Sequence, residues 1–216
     1  MFRPIQSHDA PVSLVGAGDA TPELLKTALK HAPFLVAADG GARLALRAGV
    51  EPKAVIGDFD SLGDVDVPEE LKVHSPDQNL TDFQKCLDAV EAPLFIGVGF
   101  LGGRLDHQLA AFTALLGDPR PVVLLAAKEL AFLAPPQLTL PLPEGTPISL
   151  YPLLPATLAT RGLRYPLSDA HVAPDGLTST SNHVEGGPVE IRTDRHGVLV
   201  SLPLSGLETV LHALAQ

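Results

Sequence analysis

The feature that most constrains this chain is a sequence grammar that changes once along its length. From residue 11 to about 134, short apolar runs ending in Gly or Asp alternate with helical patterns. The runs PVSLVGAG, FLVAADGG, KAVIGDFDS, PLFIGVG and PVVLLAA read as buried strands. Between them, Thr21-Pro22 supplies an N-cap with Pro at the first helical position. Thr81-Asp82-Phe83-Gln84 forms a capping box, followed by Phe83, Cys86, Leu87 and Val90 at helical spacing. A third helical segment, Arg104 to Leu116, repeats Leu105, Leu109, Phe112 and Leu116 on one face. Strands alternating with helices predict an α/β domain over residues 1–135, with a mostly parallel, Rossmann-like sheet and right-handed crossovers.

Beyond Ala134 the helical patterns stop. Pro135, Pro136, Pro141, Pro143 and Pro147 break any helix and predict a linker with edge-strand contacts. ISLYPLL, VEIRTD and GVLVSLPL are strand-like, with Gly, Pro, Ser and Asn clusters between them. A small all-β domain is expected over 140–204. A second capping box, Ser205-Gly206-Leu207-Glu208, is expected to open a short terminal helix over 205–216.

Composition narrows the function classes. Of 216 residues, 45% are hydrophobic and 19% charged, with mean hydropathy +0.22, which suits a globular chain. Fifteen Lys and Arg against twenty-five Asp and Glu give a net charge of −10, which opposes general binding to nucleic acid or anionic membranes. A phosphorylated ligand remains open, because magnesium can bridge carboxylates and phosphates. A lone cysteine, Cys86, excludes an internal disulfide and any Cys-based zinc cluster, and the eight histidines form no H-x-x-x-H pair. No apolar run approaches a membrane span, and MFRPIQSHDAPVSLVGAG lacks the layout of a signal peptide. A soluble, cytoplasmic protein is expected.

In an open parallel sheet, ligands bind beyond the carboxyl ends of the strands, so acidic residues there come first. Asp39 ends one strand, Asp58 and Asp60 end the next in GDFDS, and Asp82 opens a helix. Four carboxylates at one rim repel each other unless a cation sits among them, and magnesium prefers such oxygen ligands. Asp is also common in turns and at N-caps, which suits Asp82 alone better than the GDFDS pair. Gly102-Gly103-Arg104-Leu105-Asp106-His107 puts two glycines and a guanidinium at a helix start, a pattern suited to phosphate. Gly16-Ala17-Gly18-Asp19-Ala20-Thr21, with Asp39 about 20 residues on, imitates a dinucleotide fingerprint. That dehydrogenase reading puts Thr21 where the third glycine belongs and leaves GDFDS and GGRLDH unexplained.

The ordered set ADGGARLAL, VIGDFDSL, DQNLTDFQKCL, GGRLDH, GLRYPL and TSTSN, covering about residues 12–202, resembles the thiamine pyrophosphokinase family. The resemblance implies an α/β domain joined to a β-sandwich-like, thiamine-binding domain. It also implies a homodimer with the active site between subunits, and transfer of the ATP pyrophosphoryl group to the thiamine hydroxyl with release of AMP. By position, Asp39, Asp58, Asp60 and Asp82 would form the magnesium and pyrophosphate cluster. Gly40, Gly41, Arg43, Gln78, Thr81, Gly102, Gly103 and Arg104 would meet the nucleotide and its phosphates. Asp106 would lie near the reacting hydroxyl, and either it or Asp82 would accept the proton. Tyr165 would stack on the pyrimidine, with Ser179, Ser181 and Asn182 at its edge. The chain carries Asn79 and Leu80 where the family often has an acid and a Lys, and Arg43 where Asn is usual. A pyrophosphokinase for another hydroxymethyl heterocycle, such as a pterin, and a non-catalytic nucleotide or thiamine-diphosphate binding protein are the alternative readings.

Overall fold

A computed structural model describes residues 6–215. The chain forms two compact units, the first ending at Ala127 and the second beginning at Lys128.

The first unit contains β1 (Gln6–Ser7), β2 (Val12–Val15), β3 (Phe34–Ala38), β4 (Ala54–Gly57), β5 (Lys72–His74), β6 (Val90–Glu91), β7 (Phe95–Val98) and β8 (Val122–Leu125). Its helices are α1 (Pro22–His31), α2 (Ala42–Arg47), α3 (Asp82–Ala89) and α4 (Leu105–Gly117). Six strands pair in parallel in the order β8-β7-β2-β3-β4-β5, while β1 and β6 form a short parallel ribbon. Leu14 of β2 lies opposite Val36 on one side and Gly97 on the other. These strands are continuous apolar runs because a central parallel sheet is covered on both faces. Val12, Leu14, Val15, Phe95 and Ile96 are all fully buried.

Local signals set the helices. Thr21 Oγ1 accepts a hydrogen bond from the Leu24 N–H at 3.2 Å, with Pro22 at the first helical position. The predicted capping box of α3 is present: Thr81 Oγ1 accepts from Gln84 N–H at 3.3 Å, and Gln84 Oε1 accepts from Thr81 N–H at 3.0 Å. Behind it, Phe83, Cys86 and Leu87 are buried, each large side chain adding roughly 1.5–3 kcal/mol. Helix α4 forms as expected but turns the other way. Leu105 and Leu109 are 69% and 57% exposed, and Ala111, Ala114 and Leu115 face the core. The helix carries apolar residues nearly all round, so spacing alone does not select the buried face.

The second unit holds β9 (Glu129–Leu133), β10 (Gln137–Leu140), β11 (Pro147–Pro152), β12 (Ala156–Arg161), β13 (Ala170–Val172), β14 (Ser179–His183), β15 (Val189–Thr193), β16 (Val198–Pro203) and helix α5 (Leu207–Leu214). Two antiparallel sets form, ordered β14-β11-β16-β9 and β10-β15-β12-β13. Across the whole chain the strand pairing is therefore mixed, and a mostly parallel description fits only the strands before Ala127. The proline-rich stretch is not a bare linker: β10 runs through it, paired with β15, with Pro136 and Pro141 flanking the strand. β9 pairs with β16, so residues 129–133 belong with the second unit. The expected capping box at Ser205 does not form. A 3₁₀ turn, Leu204–Gly206, leads into α5, whose N-cap is Gly206 with no side-chain cap bond. Gly206 is pressed so closely on Leu202 that a Cβ would sit 2.3 Å from Leu202 Cδ1.

Candidate active site

Every parallel strand of the first unit that borders the site delivers its residues at its carboxyl end. Strand β3 runs into Asp39, and β4 runs into Asp58. β2 and β7 run into Gly16 and Gly99 at the point where strand order reverses about β2, which is where α/β sheets open a crevice. A cleft of about 700 Å³ lies there, lined among others by Gly16, Gly18, Asp58, Asp82, Gly102 and Arg104. The glycines of the imitated dinucleotide fingerprint serve packing. A Cβ on Gly16 or Gly18 would lie 2.7 or 2.5 Å from the Gly99 carbonyl oxygen. Gly41 is tighter still, since a Cβ there would lie 2.0 Å from the Val15 carbonyl oxygen.

Asp39, Asp58 and Asp82 come from three different elements, yet each places a carboxylate oxygen within 4.8 Å of the others. Asp39 is 1% exposed and holds a left-handed backbone, φ 40°. Its Oδ2 accepts the Phe59 N–H at 3.1 Å, while its Oδ1 is buried with no hydrogen-bond partner. Burial, and then the neighbouring Asp82 charge, push its carboxyl up to about 6. Phe59 also has positive φ, 70°, a costly conformation for a bulky residue that aims the carboxylates on either side of it in different directions. Asp58 stays below its ordinary value because Gln78 Nε2 donates to its Oδ2 at 2.9 Å, with the Asp60 N–H adding a weaker bond. A buried acceptor without a donor, beside two further carboxylates, fits a hard divalent cation such as Mg²⁺.

Asp60 does not join this group. It lines the cleft but is exposed, and its Oδ1 accepts the Ser61 hydroxyl at 2.8 Å. Lys85 is a site residue that the sequence reading does not single out. Its side chain is 3% exposed, and its Nζ lies 2.9 Å from Asp82 Oδ1 and 3.9 Å from Asp58 Oδ2. Burial opposes its charge, but the Asp82 hydrogen bond and the surrounding carboxylates outweigh that and raise its pKa. The signal for it lies in the spacing of Asp82 and Lys85, three apart on one helix face.

Gly102 and Gly103 adopt positive φ, 78° and 70°, which opens backbone toward the cleft in a way only glycine does without strain. Arg104 and Asp106 form an exposed two-bond ion pair, Nε–Oδ1 at 3.1 Å and Nη2–Oδ2 at 2.6 Å, which lowers the Asp106 pKa. Gln78 and Thr81 line the cleft with Gly102, Gly103 and Arg104, while Asp106 is not among the lining residues. Gly40 lines both the cleft and a smaller recess of about 340 Å³, where Arg43 and Arg47 lie. Cys86 is buried, with its thiol pushed far up by burial, and belongs to the core.

The remaining expected residues belong to the second unit. Tyr165 is 64% exposed. Asn182, in contrast, is 3% exposed, and its amide is committed to backbone: Oδ1 accepts the N–H of Tyr165 at 3.1 Å and of His183 at 2.9 Å, and Nδ2 donates to the Tyr165 carbonyl at 2.8 Å. Ser179 Oγ accepts a further bond from Nδ2 at 3.3 Å and is also buried. Ser181 is exposed with φ 57°, and its N–H is held by Ser149 Oγ at 3.1 Å. Tyr165 is thus held from beneath by the buried Asn182 amide, while Ser181 is held separately by Ser149.

Comparison with known proteins agrees in both units. Residues 25–121 match the family model of the thiamin pyrophosphokinase catalytic domain, and residues 137–198 that of the thiamin pyrophosphokinase vitamin B1 binding domain. Thiamine pyrophosphokinase 1 of Oryza sativa subsp. japonica is 30% identical, over 87% of this chain and 88% of the relative. Thiamin pyrophosphokinase 1 of Caenorhabditis elegans is 28% identical over 75% and 76%. The solved thiamine pyrophosphokinase of Bacillus subtilis shares the fold with TM-score 0.72 at 21% identity, covering 89% of this chain and 98% of that one. Across both matched segments, this chain belongs to the thiamine pyrophosphokinase family.

Proposed function

We propose that this protein transfers the pyrophosphoryl group of ATP to the hydroxyl of thiamine, giving thiamine diphosphate and AMP. The observation that carries the reading is the convergence of Asp39, Asp58 and Asp82, with one buried oxygen unpartnered, beyond the carboxyl ends of β3 and β4 and at the start of α3. In this reading the first unit works as an open Rossmann-like sheet. Asp39, Asp58 and Asp82 hold Mg²⁺, and Asp60 sits at the cleft rim. Bound there, the ion would supply charge neutralisation on the phosphate oxygens, where this chemistry needs it.

The chain's own residues then bind and orient. Arg104, Gln78, Thr81 and the open backbone at Gly102 and Gly103 meet phosphate oxygens, while Gly40, Gly41 and Arg43 border the nucleotide. The thiamine oxygen attacks the β-phosphorus, the bond from that phosphorus to the α-phosphate bridging oxygen breaks, and AMP leaves with that oxygen. The hydroxyl proton passes to Asp106 or Asp82. No protein nucleophile is needed, so positioning carries most of the rate. Tyr165 stacks on the pyrimidine and Ser181 meets its edge; Asn182, bonded to Ser179, holds the Tyr165 backbone.

The proposal extends to a cytoplasmic homodimer with its active site at the subunit interface, supported by the family resemblance. Among the described residues no helix is long and apolar enough to cross a membrane. The decisive experiment incubates purified protein with ATP, MgCl₂ and thiamine and separates the products. Equal yields of AMP and thiamine diphosphate are expected; ADP, or no product with thiamine while a pterin alcohol reacts, would refute the assignment.

A further inference from the structure

Among the described residues only three charged side chains are buried: Asp39, Lys85 and Asp118. Asp118 has a conventional task, because it pairs with Arg120, which also donates to the carbonyls of Leu87 and Val90 at 2.6 Å each and closes the end of α3. Lys85 has no such task. Its ammonium makes no bond to backbone and meets only Asp82 at 2.9 Å and Asp58 at 3.9 Å. Burying an ammonium is costly, and a leucine or methionine at this position would fill the same space without that cost. What only a lysine supplies there is a fixed positive charge.

The charge count gives that charge a use. Asp39, Asp58 and Asp82 carry three negative charges when ionised, and Lys85 leaves two. We propose that Lys85 is a built-in counter-ion that sets this carboxylate cluster to the charge of a single divalent cation and holds down its intrinsic metal affinity. The inference rests on the metal reading above and deepens it. Three carboxylates with no counter-ion would capture a divalent ion tightly before nucleotide arrives. With Lys85 present, the free cluster binds the ion only moderately and leaves it shared with the phosphates of the nucleotide. Leu80 brings no charge to the cleft it lines, and the cation that reaches these acids comes from α3.

The test uses Mn²⁺ as probe on chelator-stripped, full-length protein at pH 8 without nucleotide, with free Mn²⁺ read by electron paramagnetic resonance. Lys85→Met removes charge and donor together; Lys85→Gln removes the charge and keeps a donor. Both are expected to bind Mn²⁺ more tightly than wild type, by about tenfold or more, since a unit charge a few ångströms from the ion is lost. Unchanged or weaker binding in both would overturn the proposal. So would wild-type binding in the glutamine variant with weaker binding in the methionine variant, because that pattern belongs to a lysine that merely orients Asp82. Circular dichroism reports the fold; if the methionine variant does not fold, the glutamine variant decides, and loss of fold in both would make Lys85 structural and end the proposal. Failure of this idea alone leaves wild-type Mn²⁺ binding intact. A folded wild type that binds no Mn²⁺ would instead defeat the metal reading, and this inference with it.

Discussion

Replacing Asp39 by Asn should make the metal-free protein more stable while abolishing its activity. The carboxyl of Asp39 titrates near 6 in the fold against an ordinary value of 3.8. As pH rises through 3.8 the unfolded chain gives up this proton first, so the folded state loses ground until pH passes 6, and the deficit is constant above that. Two units at about 1.4 kcal/mol each amount to about 3 kcal/mol at pH 8, of which roughly half has already accrued at pH 5. Asparagine fits the same volume, its Oδ1 can still accept the Phe59 N–H, and its amide can donate toward the Asp58 and Asp82 carboxylates. In EDTA at pH 8, urea titration followed by circular dichroism should show Asp39→Asn more stable by about 2–3 kcal/mol, or about 5–10 °C in melting temperature. At pH 5 the gain should fall to about half, and added Mg²⁺ should narrow the gap at pH 8 by stabilising only the wild type. A variant no more stable than wild type at pH 8, or a gain that does not shrink at pH 5, would refute the reasoning.

Gly41→Ala puts a methyl group against the Val15 carbonyl and should lower stability by at least about 2 kcal/mol, visible as an earlier urea midpoint. Arg104→Ala removes an exposed side chain, so the melting temperature should hold while turnover with ATP collapses; parallel loss of both would show a structural role. Asn182→Ala strands the backbone N–H and C=O of Tyr165 and should cost about 2–3 kcal/mol. By calorimetry it should weaken thiamine binding and spare Mg-ATP, and equal loss of both affinities would count against its role beneath Tyr165.

Strands β2, β3, β4, β7 and β8 are legible in sequence because strands covered on both faces must be apolar throughout and end abruptly where the chain turns, whereas the short, partly exposed β5 is not. The acids at those ends are legible for the same reason: Asp39 and Asp58 follow directly on the last strand residues. Other features are hidden by how charge and polarity read along a chain. Lys85 reads as a solvent-facing helix residue, yet it is buried beside Asp82 of its own helix and Asp58 from another element. Asn182 reads as a turn residue or a ligand contact, yet it lies in β14 and spends its amide on the Tyr165 backbone. Helix α4 offers leucines at helical spacing, but its alanines face the core, a choice made by what packs against it. Strands β12 and β14 escape a sequence reading because polar residues take even buried positions, Thr160 in β12 and Ser179 and Asn182 in β14.

Two of the left-handed residues, Phe59 in the first unit and Ser181 in the second, have a consequence for anyone engineering this protein. Glycine at either position would release backbone strain on the order of 1 kcal/mol, offset in part by the greater freedom of the unfolded chain. At Phe59 it would also loosen the turn that keeps an N–H on Asp39, and at Ser181 it would remove an outward hydroxyl. A library selected for heat resistance alone would therefore drift toward relaxed backbones at both positions. Its winners would be durable proteins with blunted chemistry, so any such selection has to be run on product formation from the first round.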